Sequence, residues 1–242
     1  TTLFRSGTLT LNKMTVTHIA VNGDFESAKT TSIQDAAKQH PKVYEELVCA
    51  AALCNDASLD PDREGEIIGD PTEGALIHMA QAFGIDHETL EEEYPRVFEQ
   101  PFDSDRKRMT TVHRMKNRWT AYTKGAVDEM LPLCTHILTS EGVRPVTETD
   151  RANIMKLCLS MSEDALRVLG FAMRTLTDLP VSAEEDIESD LIFIGVAGMI
   201  DPPRKEVAES VRICLEAGIR TIMITGDHRA TAAAVAREKD TE

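Results

Sequence analysis

The 242 residues carry 42% apolar and 28% charged side chains, the balance of a soluble globular protein, with length for one large domain or two small ones. A formal charge of -15 argues against general nucleic-acid binding, which needs a basic footprint. The longest apolar run, 191–200, is half a membrane span, no signal peptide is expected, and the five cysteines are scattered without CxxC spacing, which points to a reduced, cytosolic setting and against a zinc site.

In chain order, Gly7-Thr8-Leu9-Thr10 and Asn12-Lys13-Met14 read as a turn leading into a strand over 15–21, with Asn22-Gly23 as a hairpin signal. Residues 26–39 are polar loop. Helical spacing marks 44–53, and 55–69 is an acidic, exposed loop. Asp70-Pro71-Thr72-Glu73 then starts a helix: Asp70 caps it, Pro71 takes the first position, and Glu73 can reach back to the cap. That helix runs to Phe83, Gly84 stops it, and a short acidic helix follows over 86–93.

Strands are predicted near 96–101, 107–114 and 118–124, then a short helix over 126–133. Short strands at 136–139 and 142–146 flank Glu141-Gly142, 149–161 is an amphipathic helix, 167–174 alternates as a strand, and 181–190 is an acidic loop taken as solvated surface. The character then changes. A buried strand over 191–199 leads through Asp201-Pro202-Pro203 into a helix over 204–217, then a second buried strand over 219–224, the turn Thr225-Gly226-Asp227 and a helix over 228–238. This short-looped β-α-β-α run points to a parallel sheet. The expected fold class is therefore α/β (α+β), with an antiparallel-sheet domain flanked by helices and, at the C-terminus, part of a Rossmann-like one.

Two places carry candidate chemistry. Residues 97–126 hold a dense knot of Lys and Arg on an acidic chain, and a bound anion would explain it. Thr225-Gly226-Asp227 sits at the carboxyl end of a predicted parallel strand, where such folds place their chemistry. Its hydroxyl and N–H groups suit phosphate and its carboxylate suits Mg²⁺, although the three alone read better as a turn with an Asp cap.

Five motifs in order resemble the P-type cation pumps. Gly7-Thr8-Leu9-Thr10-Leu11-Asn12-Lys13-Met14 resembles the end of the phosphorylation motif DKTGTLTxNKM. Asp70-Pro71-Thr72-Glu73-Gly74-Ala75-Leu76, Phe102-Asp103-Ser104-Asp105-Arg106-Lys107-Arg108-Met109 and Lys124-Gly125-Ala126 are similar to motifs of the nucleotide-binding domain. Gly198-Met199-Ile200-Asp201-Pro202-Pro203-Arg204 followed by Thr225-Gly226-Asp227 looks like the phosphorylation domain, in the form found in type II pumps, which include the calcium pumps.

The resemblance implies a domain division at 1–12, 13–200 and 201–242: a phosphorylation-domain remnant, the nucleotide-binding domain inserted in it, and part of a haloacid-dehalogenase-type phosphorylation domain. It places adenine against Phe102, whose bland alternative is a core residue. Lys124-Gly125 would form the floor of the pocket, or be a glycine ending a strand. Glu73 would accept from the adenine amino group, or complete a capping box. Lys107 would touch the nucleotide, with Arg106 and Arg108 on the opposite face if all three lie on a strand. Arg167 would reach the phosphates, or be a surface ion pair. Asp201 is implied as a hinge residue of the set, or a plain helix cap. ATP is the implied ligand, with Mg²⁺ in the intact pump, and the implied partners are that pump's actuator domain and membrane helices, which makes this a cytoplasmic domain of a multi-pass membrane protein.

One departure matters. Phe4 stands where the family has its phosphoryl-accepting Asp, and a phenyl ring has no nucleophilic atom. The expectation is an excised piece with 1–6 foreign, rather than a natural inactive paralogue, that binds ATP weakly and does not hydrolyse it. The rival readings are a non-catalytic interaction module and a haloacid-dehalogenase-type phosphatase.

Overall fold

The computed structural model describes residues 2–5, 13–21, 38, 40–63, 65–115, 118–179, 186–202, 205–219 and 221–224. The predicted Asn22-Gly23 hairpin and the helix over 228–238 lie outside them. Strand β1 (Thr2–Arg5) is followed by β2 (Thr15–Val21), helix α1 (Pro41–Leu53), a small ribbon of β3 (Ser58–Leu59) and β4 (Ile67–Ile68), then α2 (Pro71–Ala82) and α3 (His87–Glu93). A meander of β5 (Arg96–Asp103), β6 (Arg108–Met115) and β7 (Arg118–Gly125) comes next. After α4 (Val127–Met130) and a 3₁₀ turn come β8 (Cys134–Thr139), β9 (Gly142–Pro145), α5 (Glu148–Glu163), β10 (Arg167–Leu176), β11 (Leu191–Ile200), α6 (Lys205–Glu216) and β12 (Thr221–Ile224).

The helix ends follow their residues. Asp70 caps α2 by accepting from the Thr72 N–H at 2.7 Å. Thr147 and Asp150 form a reciprocal capping box on α5. Gly84 and Gly218 take positive φ just past α2 and α6, as helix stops do.

An eight-stranded sheet runs β5-β6-β7-β10-β11-β8-β9, with β2 also on β11. Every pairing in it is antiparallel except β11 with β8. The long β11 shares one edge between two neighbours: residues near Leu191–Phe193 pair with β8, and Gly195–Ile200 with β2. The apolar run at 191–199 is thus the centre of the large, mostly antiparallel sheet, not the first strand of a parallel unit. A continuous apolar run reports burial on both faces, and here helices cover both. Ile194, Ala197 and Met199 join a core under α1 and α2, while Phe193 and Val196 join a second core under α4 and α5. The only parallel pairing outside this sheet among the described residues is β1 with β12, Phe4 standing opposite Met223.

Loops expected to be solvated are partly interior. Ile187 and Glu188, in the acidic 181–190 stretch, are 3% and 5% exposed. Ile187 packs with Val112 and Ala121 on the sheet, which a composition reading of the loop did not register. Residues 55–69 carry the β3–β4 ribbon, and Asn55 is buried, accepting from the Ala57 N–H at 2.9 Å and donating to the Ala51 and Glu73 carbonyls at 3.1 Å each.

His113 on β6 is fully buried. Its Nδ1–H donates to the Tyr94 carbonyl and its Nε2 accepts from Thr111 Oγ1, both at 2.9 Å, so the neutral ring satisfies both neighbours. Burial lowers its pKa to about 4. The unfolded ring takes up a proton near pH 6.5 and the folded ring does not, so this contribution is complete above pH 6.5 and is lost as pH falls toward 4. Between pH 7 and pH 5 the loss attributable to His113 is about 2 kcal/mol. Urea unfolding at the two pH values checks it: His113→Gln should shrink the pH difference by about that amount, and an unchanged difference would refute the assignment.

Candidate functional site

The end of β5 and the turn after it are built by Asp103. Its Oδ1 accepts the backbone N–H groups of Asp105 and Arg106 at 2.9 Å each, and its carbonyl accepts from Lys107 N at 2.7 Å. Those bonds hold the Asp103 carboxyl below its usual pKa. Lys107 closes the turn with φ 51, a left-handed conformation costing a non-glycine residue about 1 kcal/mol. Lys107 therefore lies in a turn, before the strand expected at 107–114, and strand alternation does not apply to it. Its Nζ is 3.0 Å from Glu129 Oε1. Arg106 and Arg108 instead converge on one carboxylate, Glu188, at 2.7 Å and 2.6 Å. Just before this turn Phe102 presents its ring to solvent, 64% exposed.

Lys124 stands opposite Met109 and Phe171 in the register, on the sheet face that α1 and α2 cover. It is 6% exposed and forms an ion pair with Glu73 Oε1 on the first turn of α2. A buried ammonium needs such a partner, because an unpaired charge there is strongly destabilising. The other Glu73 oxygen accepts from the Asp56 N–H at 3.3 Å. Glu73 is thus directed at Lys124 and Asp56 rather than back at the cap: Asp70 caps α2 through the Thr72 N–H, and the reciprocal bond expected from Glu73 is not made. Partial burial raises the Asp70 pKa, but hydrogen bonds from Thr72 outweigh it and hold that carboxyl low. Next to Glu73, Thr72 Oγ1 accepts from the Arg167 guanidinium.

Gly125 is required by the sheet itself. A Cβ there would lie 2.5 Å from Arg108 Cβ and 2.6 Å from the Lys107 carbonyl, which already accepts the Ala126 N–H at 3.0 Å. This close approach ties the β6 entry to the β7 exit, beside Lys107 and Phe102.

The strand register brings these side chains to one end of the sheet. Gly125 faces Arg108 on one side and Gly170 on the other, so β5 and β7 end where β6 and β10 begin. Arg167 opens β10 opposite Met199, two residues before Asp201. Asp201 Oδ1 accepts the Lys13 N–H at 3.1 Å, so the strands entering and leaving the large sheet are tied together at that same end. Phe102, Lys107, Lys124, Gly125 and Arg167, with Glu73 from α2, thus share one region with Asp201 at its border. For Phe4 the structure gives the backbone position on β1, and Thr225, Gly226 and Asp227 lie outside the described residues.

Phe102 gives this end of the sheet an exposed aromatic surface. Two adjoining cavities of about 280 Å³ and about 420 Å³ lie along α2, both lined by Lys13, Met14, Ala75 and His78, and neither includes Phe102 or Lys124. An exposed aromatic face suits a purine ring, and cations at the same end of the sheet suit an anionic ligand that shares them with their carboxylate or hydroxyl partners. Among the described residues no cluster of His, Cys, Asp and Glu fits a metal ion. Sequence reasoning missed the partners Glu129, Glu188, Thr72 and Asp56. For Glu188 a signal existed, since it follows Ile187, a lone apolar residue in an acidic run.

A family model for the P-type ATPase cytoplasmic domain N matches residues 43–206. Calcium-transporting ATPase 1 of Bacillus cereus is 43% identical over 234 residues, covering 97% of this chain and 25% of that protein. Calcium-transporting ATPase 1 of Lactococcus lactis is 37% identical over 97% of the chain and 26% of its own length. A cation-transporting ATPase of Synechocystis is 38% identical over 96% of the chain and 27% of its length. The chain spans about a quarter of the length of these curated relatives. No helix among the described residues is long and apolar enough to cross a membrane. The chain belongs to the P-type ATPase family and carries that family's cytoplasmic domain N.

Proposed function

We propose that this chain is the ATP-holding part of a larger cation pump. The observation that carries the reading is that one sheet end holds an exposed Phe102 ring with Lys107, Lys124 and Glu73, from three motifs that resemble the nucleotide site of such pumps, and with Arg167, which resembles an arginine of that site. Adenine stacks on Phe102, its amino group faces Glu73, Lys124 and Gly125 form the floor, and Arg167 serves the phosphate side. Lys107, held by Glu129, reaches the nucleotide from the turn. The chain divides at 1–12, 13–200 and 201–242, the outer pieces belonging to a Rossmann-like phosphorylation domain. The parallel β1–β12 pair is compatible with such a sheet.

In the whole pump the bound ATP delivers its γ-phosphoryl group to an aspartate at the position Phe4 occupies here. ATP binding and phosphoryl transfer then drive ion movement through membrane helices, with the actuator domain as partner. Mg²⁺ supplies charge neutralisation at the phosphates. Calcium is the favoured ion, on the names of the relatives alone. Asp201, tied to the Lys13 backbone, lies where the two chain crossings would bend on domain closure.

Amide shifts followed during an ATP titration test the binding reading. Shifts centred on Phe102, Glu73 and Lys124 are expected with a Kd on the order of millimolar. Silence of those amides would sink it and favour a non-catalytic interaction module. Because Phe102 is exposed, Phe102→Ala should leave the melting temperature unchanged while weakening ATP by about 1–3 kcal/mol, roughly 5- to 150-fold. The chain alone should release no phosphate from ATP, because Phe4 supplies no nucleophile. Sustained release that a Lys124→Ala change abolishes would overturn this.

A further inference from the structure

Glu188 is an acid in a loop, yet it is 5% exposed and surrounded by donors. Arg106 NH1 reaches both of its oxygens at 2.7 Å, Arg108 Nε donates to Oε2 at 2.6 Å, and Thr110 Oγ1 donates to Oε1 at 2.8 Å. Thr110 also bonds Thr123 across β6 and β7 at 2.9 Å, so the cluster lies on the face opposite Lys124. The carboxylate is itself held in place. Its own N–H donates to Asp186 Oδ1 at 3.2 Å, Ile187 beside it is in the core, and Arg174 NH1 donates to the Asp186 carbonyl at 2.8 Å and to Ser189 Oγ at 3.0 Å.

The second grip of Arg106 gives the cluster its direction. Its NH2 donates to the Pro101 carbonyl at 2.7 Å, and that carbonyl belongs to the peptide bond entering Phe102. Glu188 orients Arg106, Arg106 fixes the Pro101–Phe102 peptide, and the same Arg106 backbone is bound by Asp103. Arg108, the second guanidinium on Glu188, packs its Cα and Cβ against Gly125 and opens β6 next to Lys107. One buried carboxylate therefore supports the aromatic, the turn carrying Lys107, and the Lys124-Gly125 floor from behind the sheet.

We propose that Glu188 is a positioning residue for the nucleotide: it touches no ligand, and through Arg106 it holds the Phe102 shelf in the geometry that accepts a purine. This rests on the ATP reading above. A site held only loosely loses binding even when every contacting side chain is present.

The test is an ATP titration of the wild-type chain, Glu188→Gln, Arg106→Gln and the double variant, with melting temperatures and free-state amide spectra. Asp150→Asn serves as control. It breaks a second bidentate arginine pair on a buried carboxylate, with Arg144 NH1 and NH2 on Asp150 at 2.6 Å and 2.8 Å and the arginine itself partly exposed, near the opposite edge of the sheet. Arg106→Gln releases the Pro101 carbonyl but leaves Arg108 on Glu188, so it remains informative if Glu188→Gln does not fold.

Both single variants should bind ATP about tenfold more weakly, with free-state shifts at residues 101–107, and the double variant should be no weaker than Glu188→Gln. Asp150→Asn should keep wild-type affinity at a comparable loss of melting temperature. Affinity within twofold of wild type in Arg106→Gln, or an equal affinity loss in Asp150→Asn, would overturn the positioning role. A wild-type chain that does not bind ATP overturns the ATP reading instead, and the role of Glu188 falls with it.

Discussion

A ten-residue strand without a charged side chain, with apolar groups on both sides, must be covered twice, and β11 is that strand. Its inner edges are taken by β10 on one side and by β8 and β2 in succession on the other. Its faces are taken by α1 and α2 above and by α4 and α5 below. Covering one strand so completely forces the rest of the chain to close around it. The meander β5–β6–β7 extends the sheet beyond β10, and β9 finishes the other side. The first turn of α2 is brought over the exit of β7, where Glu73 meets Lys124.

Electrostatics is then a local matter. The chain carries a formal charge of -15, and four cationic side chains at the sheet end meet three carboxylates: Lys124 with Glu73, Lys107 with Glu129, and Arg106 and Arg108 together with Glu188. Arg96 adds another knot, donating to Asp56 and Glu99 at 2.7 Å and 2.9 Å and to the Asn55 carbonyl. Buried members of these pairs offset one another's desolvation, so their role is placement more than net stability. On the proposed reading, a ligand arriving at Phe102 would meet cations already held in position and would share them with carboxylates instead of meeting a bare positive surface. The two faces of the sheet divide the labour. Lys124 and Glu73 lie under α2, and the Glu188 cluster lies behind.

Local chemistry was readable without coordinates. Asp70, Pro71 and Gly84 bound α2 because a cap, a fixed φ and a left-handed stop are properties of single residues and their nearest neighbours. Alternation of residue type placed β6, β7 and β10 within a residue or two, because successive side chains of a strand point to opposite faces. The motifs around Phe102, Lys124 and Asp201 carried the family, and a model match over 43–206 agrees with them. What the sequence could not decide depended on distance through space. Whether 191–200 sits in a parallel or an antiparallel sheet turns on which strands flank it, and an apolar run reports only that both faces are dry. Whether Glu73 serves the cap or a lysine turns on α2 lying over β7, fifty residues later. Whether an acidic loop is solvated turns on Ile187 finding Val112 and Ala121, which brings Glu188 onto two arginines. A side chain's nature is local, but the partner that satisfies it is chosen by packing, and only the tertiary structure makes that choice.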